Sequence, residues 1–239
     1  MNMMKPIGSV KKLWSYPVKS LLGQTQSEVM IEPRGVVGDR RYAIRDVNGK
    51  LGSGKTTKRF QRIAGLFELQ AHVDGDQPVI TFPDGESIRE GDPNMDLRLS
   101  DFLGQKVTLV KEQDRSHFDE APIHMITTAA MKWLKTELPS SVIDERRFRP
   151  NIVIQTNGDQ PVEHYWVGQR VHLGEVVLEV IGLTKRCVMT TMQQPQLPRD
   201  PAVLKQISQG ADANLGVYAK VLKPGKLCTG DHVEIAERF

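Results

Sequence analysis

Cysteine is scarce in this chain. Of 239 residues only Cys187 and Cys228 carry a thiol, which excludes a disulfide framework and a four-cysteine iron–sulfur ligand set built from this chain alone. Aromatic residues make up 6% of the sequence and supply few platforms for stacking single strands. Charge of one sign is lacking as well: 32 basic and 29 acidic residues leave +3, too little to argue for a nucleic-acid partner. No run approaches the ~18 apolar residues of a membrane span, and the segment from Met1 to Ser9 has no apolar stretch of signal-peptide length. A protein of the reducing cytoplasm, with neither a nucleic-acid nor a membrane partner, fits these absences. The six histidines are scattered with no pair at helical ligand spacing, so a zinc site would have to be assembled by the fold. A Gly-x-Ser-x-Gly nucleophile elbow is missing too, and Cys187 with His124 or His164 is a hydrolase pairing only if the fold brings them together.

What the chain does contain is a period of two. Ser9 to Ser15, Arg41 to Asp46, Pro78 to Phe82, Lys106 to Val110, Ile152 to Gln155, Arg170 to Leu173, Val176 to Ile181, Val217 to Leu222 and His232 to Ile235 are short, rich in Val, Ile and Leu, and bounded by turn formers. They predict strands. Two helices are expected: Thr127 to Glu137, with Pro139 beyond its end, and Pro201 to Ser208, introduced by Asp200 as N-cap. Frequent short strands with isolated helices predict a mainly β protein, a barrel or sandwich rather than a wound α/β sheet. The turn formers from Glu90 to Asn94 mark either a domain boundary or one long loop.

Two short motifs invite a chemical reading. Gly49 to Thr56 spells a phosphate loop, but Arg41 to Asp46 before it alternates polar and apolar and runs into Asn48-Gly49, a hairpin signal. A hairpin and loop without nucleotide-triphosphate affinity is the expectation. The second motif sets Cys187 directly after Lys185 and Arg186. A neighbouring cation favours the thiolate, the form that attacks electrophiles and binds metals, over a thiol whose ordinary pKa is roughly 8.5. The competing reading is a small buried side chain at a strand end.

A set of blocks carries a resemblance. Leu13-Trp-Ser-Tyr-Pro-Val-Lys-Ser20, Gly38-Asp-Arg40, Arg147-Phe-Arg-Pro-Asn151, Arg186-Cys187 and Gly230-Asp231 occur in the order and spacing of the molybdenum cofactor sulfurase C-terminal (MOSC) superfamily, and the chain resembles its amidoxime-reducing members over nearly its whole length. The resemblance implies a MOSC β-barrel over residues 96–239, preceded by a smaller β-rich N-terminal domain over 1–95. It implies a molybdenum cofactor whose metal is ligated by Cys187, the catalytic position, while Lys19, Ser20, Arg40 and Arg149 hold its phosphate and pterin. Asn151, Arg186 and Tyr218 are expected to line the site, and Glu163, Trp166 and Gly168 to shape the barrel. Lys185 stands where the amidoxime-reducing members carry Ser, and no role is assigned between Asp119 and His124. Pyridoxal phosphate, which belongs to a separate domain of full-length cofactor sulfurases, is not expected.

The implied activity is reduction of small N-hydroxylated or N-oxide compounds. With only Cys228 besides Cys187, the chain cannot relay electrons itself, so a separate ferredoxin-, flavin- or cytochrome-type donor is expected. The alternative is a binding or carrier module in which Cys187 bears sulfur or holds cofactor for delivery without redox turnover.

Overall fold

The structure, a computed structural model, describes residues 4–236. It is mainly β, with three α-helices among the described residues: α1 (Met95–Leu103), α2 (Thr128–Glu137) and α3 (Pro201–Gly210). The strands expected from the two-residue period are all present, with bounds shifted by a few residues. Six of them, together with Ile123–Thr127, close a barrel in the order Ile152–Gln155, Ile123–Thr127, Asn214–Lys223, Val176–Lys185, Arg170–Leu173, His232–Ala236 and Met4–Ser15, the last pairing back to the first. Only the pair Ile123–Thr127 and Ile152–Gln155 runs parallel. Inward alternation fills the barrel with aliphatic side chains, among them Val10, Leu13, Ile152, Ile154, Val217 and the alternate residues Val176, Leu178 and Val180 of one strand.

Ile123–Thr127 went unread because it does not alternate: every residue is buried. Its second face is covered by the two expected helices, where Ala130, Trp133 and Leu134 of α2 and Val203 and Ile207 of α3 pack with Ile126 and Val153. α3 starts as its sequence predicts, and α2 starts one residue later than expected, with Thr127 as its N-cap. Thr127 accepts a bond from the Ala130 amide at 3.1 Å, and Asp200 accepts from Ala202 at 3.0 Å ahead of Pro201.

The remaining strands form smaller sheets. Val107–Lys111, Tyr42–Asp46, Leu51–Ser53 and Phe60–Arg62 make one, and Gln70–Asp74, Gln77–Thr81 and Ser87–Arg89 make another. α1 packs here through Met95, Leu99 and Leu103, an i, i+4, i+8 stripe that follows directly on the Glu90 to Asn94 turn. A third sheet joins Gly225–Cys228 to Glu28–Glu32 and Gly35–Val36. Sheet membership therefore interleaves across residue 95. The first strand belongs to the barrel, whereas Val107–Lys111 pairs with Tyr42–Asp46.

Candidate functional site

Six stretches of chain meet around one cavity of about 90 Å³. Lys19, Ser20, Arg40, Arg149, Asn151, Cys187 and Tyr218 all line it, joined by Asp119, His124 and Met189. Lys19 and Ser20 arrive on the turn after the first strand, pinned by the Lys19 amide donating to the Tyr42 carbonyl at 2.8 Å and Tyr42 donating back to Pro17 at 3.1 Å. Arg40 follows the Gly38 turn, its amide donating to the Tyr16 carbonyl at 2.7 Å. Arg149 follows the short helical turn Glu145–Arg147, which Asp144 caps. Cys187 lies two residues beyond the strand Val176–Lys185, at the N-cap position of the turn Val188–Thr191, where its carbonyl accepts from the Thr190 amide at 3.1 Å.

Backbone conformation sets these residues apart. Ser20, Arg40 and Arg149 have φ of 64°, 49° and 54°, making up half of the six described non-glycine residues in the left-handed region. Each such residue costs roughly 1–2 kcal/mol against the ordinary helical or extended regions, and such strain collects where surrounding structure holds a functional geometry.

The wall is cationic and only partly neutralised. Asp39, fully buried, accepts from the Tyr16 amide at 2.8 Å and pairs with the Arg40 guanidinium. The Tyr16 ring has the Arg40 and Arg149 guanidinium carbons 4.6 and 4.3 Å from its centroid, so two cations share one aromatic ring. Burial lowers the Arg149 pKa to about 10, with Tyr16 opposing the shift. Burial also lowers Lys19 to about 8, against the pull of Asp119, whose Oδ1 lies 2.9 Å from Nζ. Arg149 Nη1 donates to the Leu21 carbonyl at 2.6 Å, but its Nη2 and the Asn151 Nδ2 are buried without partners. Two orphan donors in a cationic wall fit an anionic, acceptor-rich group and leave a desolvation cost that such a group would remove.

Arg186 is placed differently from its neighbours in the expected set. Its guanidinium lies behind the cavity, donating to the Leu215 carbonyl at 2.7 Å, the Phe148 carbonyl at 3.1 Å and His124 Nε2 at 2.5 Å. His124 is thereby held neutral: burial and then the Arg186 charge push its pKa well down, and Nδ1 faces the Arg149 carbonyl at 3.4 Å. Gly216 makes room for this pair, since a Cβ there would lie 2.6 Å from both His124 Nε2 and the Met125 carbonyl oxygen, at φ +80°. Tyr218 packs beside His124 with ring centroids 5.8 Å apart, and burial raises its pKa to about 12, so its hydroxyl keeps its proton. Arg147, 1% exposed, ties the Cys187 turn in place by donating to the Thr190 and Pro198 carbonyls at 3.4 and 2.8 Å.

His124, Asp119, Tyr16 and Asp39 are cavity or supporting residues that sequence reasoning did not assign. Tyr16 and Asp39 sit inside the Trp-Ser-Tyr-Pro and Gly-Asp-Arg blocks, so the signal was present. Glu163 and Trp166 are buried away from the cavity, Glu163 accepting from Thr127 Oγ1 at 2.6 Å. Cys228 lies on Gly225–Cys228, outside the cavity, its amide bonded to Asp231 at 2.8 Å. Gly49 to Thr56 contains the expected hairpin turn, with Tyr42–Asp46 antiparallel to Leu51–Ser53, and no helix follows it. No group of three or more metal-ligating side chains occurs among the described residues, and no helix there is long and apolar enough to cross a membrane.

The closed barrel thus presents one thiol and a cluster of cations to one small shared cavity. Models of the MOSC domain and of the MOSC N-terminal beta barrel domain match residues 112–234 and 7–140, and the chain belongs to the MOSC family. It is 24% identical to mitochondrial amidoxime reducing component 2 of Rattus norvegicus, over 96% of this chain and 84% of that protein, and equally to the Homo sapiens protein of the same name. It is 25% identical to molybdenum cofactor sulfurase of Drosophila grimshawi over 85% of this chain but 31% of that protein. The YUAD protein from Bacillus subtilis shares the fold over the full length of both chains, with a TM-score of 0.57 at 13% identity.

Proposed function

We propose that this protein binds a molybdenum cofactor in the Cys187 cavity and, supplied with electrons by a separate donor protein, reduces N-hydroxylated or N-oxide compounds. One observation carries the reading: Lys19, Ser20, Arg40, Arg149, Asn151, Cys187 and Tyr218, drawn from across the chain, line a single cavity in which Arg149 Nη2 and Asn151 Nδ2 lack partners. The two amidoxime reducing component relatives support the choice of substrate class.

Lys19, Arg40 and Arg149 would hold the phosphate, Arg as a planar fork and Lys as a point charge, with Ser20 and Asn151 hydrogen-bonding the pterin. Cys187 would be the protein's soft ligand to the metal. When bound, the cofactor supplies a two-electron redox centre able to accept oxygen. The overall change is balanced: the N–O bond breaks, two electrons from the donor protein and two protons enter, and water leaves with the amine or its analogue. Tyr218, protonated and at the cavity wall, would donate a hydrogen bond to the departing oxygen, while neutral His124 would add no charge beside Cys187.

The cavity is small against the ~300–1,000 Å³ of typical ligand pockets. Asp119 pairs with Lys19 at 2.9 Å, so an anion held by Lys19 would compete with that contact.

Molybdenum analysis of protein from a cofactor-competent host tests the reading. Near-stoichiometric metal is expected in the wild type and in Cys228→Ser, and little or none in Cys187→Ser with its fold intact by circular dichroism. Equal metal in both variants sinks the ligand assignment, and metal-free wild type with a sulfane-sulfur signal favours the carrier reading.

A further inference from the structure

A second cavity shares the loop that carries Asp119. It is a groove of about 650 Å³, within the ~300–1,000 Å³ range of small-molecule sites, and none of the residues lining it lines the Cys187 cavity. Arg45, Lys50, Lys58, Arg59, Lys111 and Arg115 line it against a single carboxylate, Asp114. Arg45, Lys50, Lys58 and Arg115 form no ion pair among the described residues. Arg59 is the fixed member, donating to the Phe118 carbonyl at 2.9 Å and to that of Ser116. Beyond burial, the Arg115 charge most lowers the Arg59 pKa, with Asp119 and Glu112 opposing it, so two cations share this end of the groove.

The second observation is independent of the charge. His117 lines the groove, is 6% exposed, and its Nδ1 is buried with no hydrogen-bond partner. Its backbone amide is anchored to Glu112 at 3.0 Å, and Glu112 is held in turn by Arg34 Nε at 2.7 Å, so the ring is fixed by a rigid loop. An unpaired buried ring nitrogen in a groove lined by six cations and one carboxylate suits a small polar group that enters the groove. No Phe, Tyr or Trp lines it, so a nucleobase would have nothing to stack on, and a broad protein surface would not reach a nearly buried imidazole.

We propose that this groove is a second anion site, which takes a small molecule bearing clustered oxyanion charge, a phosphate ester or diphosphate, through Lys58, Arg59, Arg115 and His117. Arginine forks and lysine point charges suit phosphate oxygens, and the exposed position makes the affinity fall with added salt. The site is separate from the Cys187 cavity and does not depend on what that cavity holds.

Isothermal titration with sodium pyrophosphate, at low and high salt, tests the inference on the full chain. Binding to the wild type is expected, weakened at least about tenfold in the exposed double variant Lys58→Glu/Arg115→Glu, which should keep the wild-type melting temperature. His117→Ala should weaken it as well. Arg149→Ala, in the cofactor cavity, and Lys55→Ala, in the phosphate-loop spelling but outside the groove, should bind as the wild type does. A wild type that ignores millimolar pyrophosphate, whether or not it captures an acidic protein, overturns the inference. So does equal loss in Arg149→Ala, which would place the ligand in the Cys187 cavity. Molybdenum content of the double variant reports on the cofactor reading separately, and it should be unchanged.

Discussion

Glu163 offers the most quantitative test of how this barrel is held together. Its side chain is fully buried against the start of α2, with Oε2 bonded to the Thr127 hydroxyl at 2.6 Å and Oε1 unpartnered. Burial raises its pKa from 4.5 to about 7, with the Thr127 hydroxyl opposing. Between pH 4.5 and 7 the unfolded chain has released this proton while the folded chain keeps it, so the folded state binds more protons and stability falls as pH rises through that window. A shift of this size, at 1.36 kcal/mol per pH unit, amounts to about 3 kcal/mol. For a chain of this length that corresponds to roughly 6–12 °C in melting temperature. Glu163→Gln is neutral at every pH and keeps an acceptor for Thr127, so it lacks the titration. Thermal melts of both proteins from pH 4.5 to 8 should converge at the acid end and separate toward neutrality, with the variant the more stable. Parallel curves would refute a protonated, buried Glu163.

Three further outcomes are expected. Arg149→Ala should lower cofactor retention more than Arg149→Lys, by about tenfold or more in molybdenum content after dialysis, because lysine restores the charge but not the fork; equal retention would remove Arg149 from the anion site. Cofactor retention should also fall as pH rises through about 8, where Lys19 loses its proton, and Lys19→Arg should flatten that step; a flat wild-type profile would show that Lys19 does not hold the anion. Gly216→Ala should cost at least about 2 kcal/mol in urea unfolding, since the new Cβ meets the Met125 carbonyl at a φ that disfavours any side chain, and a neutral result would mean that the His124–Arg186 contact is not tightly packed.

The sequence was most legible where one face of a strand meets water. Arg170–Leu173 and His232–Ala236 alternate and were read directly, whereas Ile123–Thr127, covered on both faces, has no period to read. α1 was obscured by the turn formers leading into it, although its Met95, Leu99, Leu103 stripe is helical in spacing. At the site, residue types in recognisable blocks identified the wall, but position within a block did not say which way a side chain would turn. Arg186 sits next to Cys187 in sequence but does not line the cavity, its guanidinium being held by the Leu215 and Phe148 carbonyls and His124. His124 was unassigned for the complementary reason: its role depends on an arginine 62 positions away.

The closure of the barrel by Met4–Ser15 has a consequence for how the chain is made. This strand is synthesised well before its two barrel neighbours, Ile152–Gln155 and His232–Ala236. At roughly 5–20 residues per second the last neighbour follows by about 10–40 s. Until Ile152–Gln155 emerges the strand lacks both barrel partners, and one edge stays open until His232–Ala236 follows; unpaired strand edges are where chains aggregate. Its own composition answers the hazard: Lys5, Lys11 and Lys12 are exposed on it, and Pro6 removes one edge donor. The residues that look incidental on the finished barrel are those that keep its earliest stave soluble until the last one arrives.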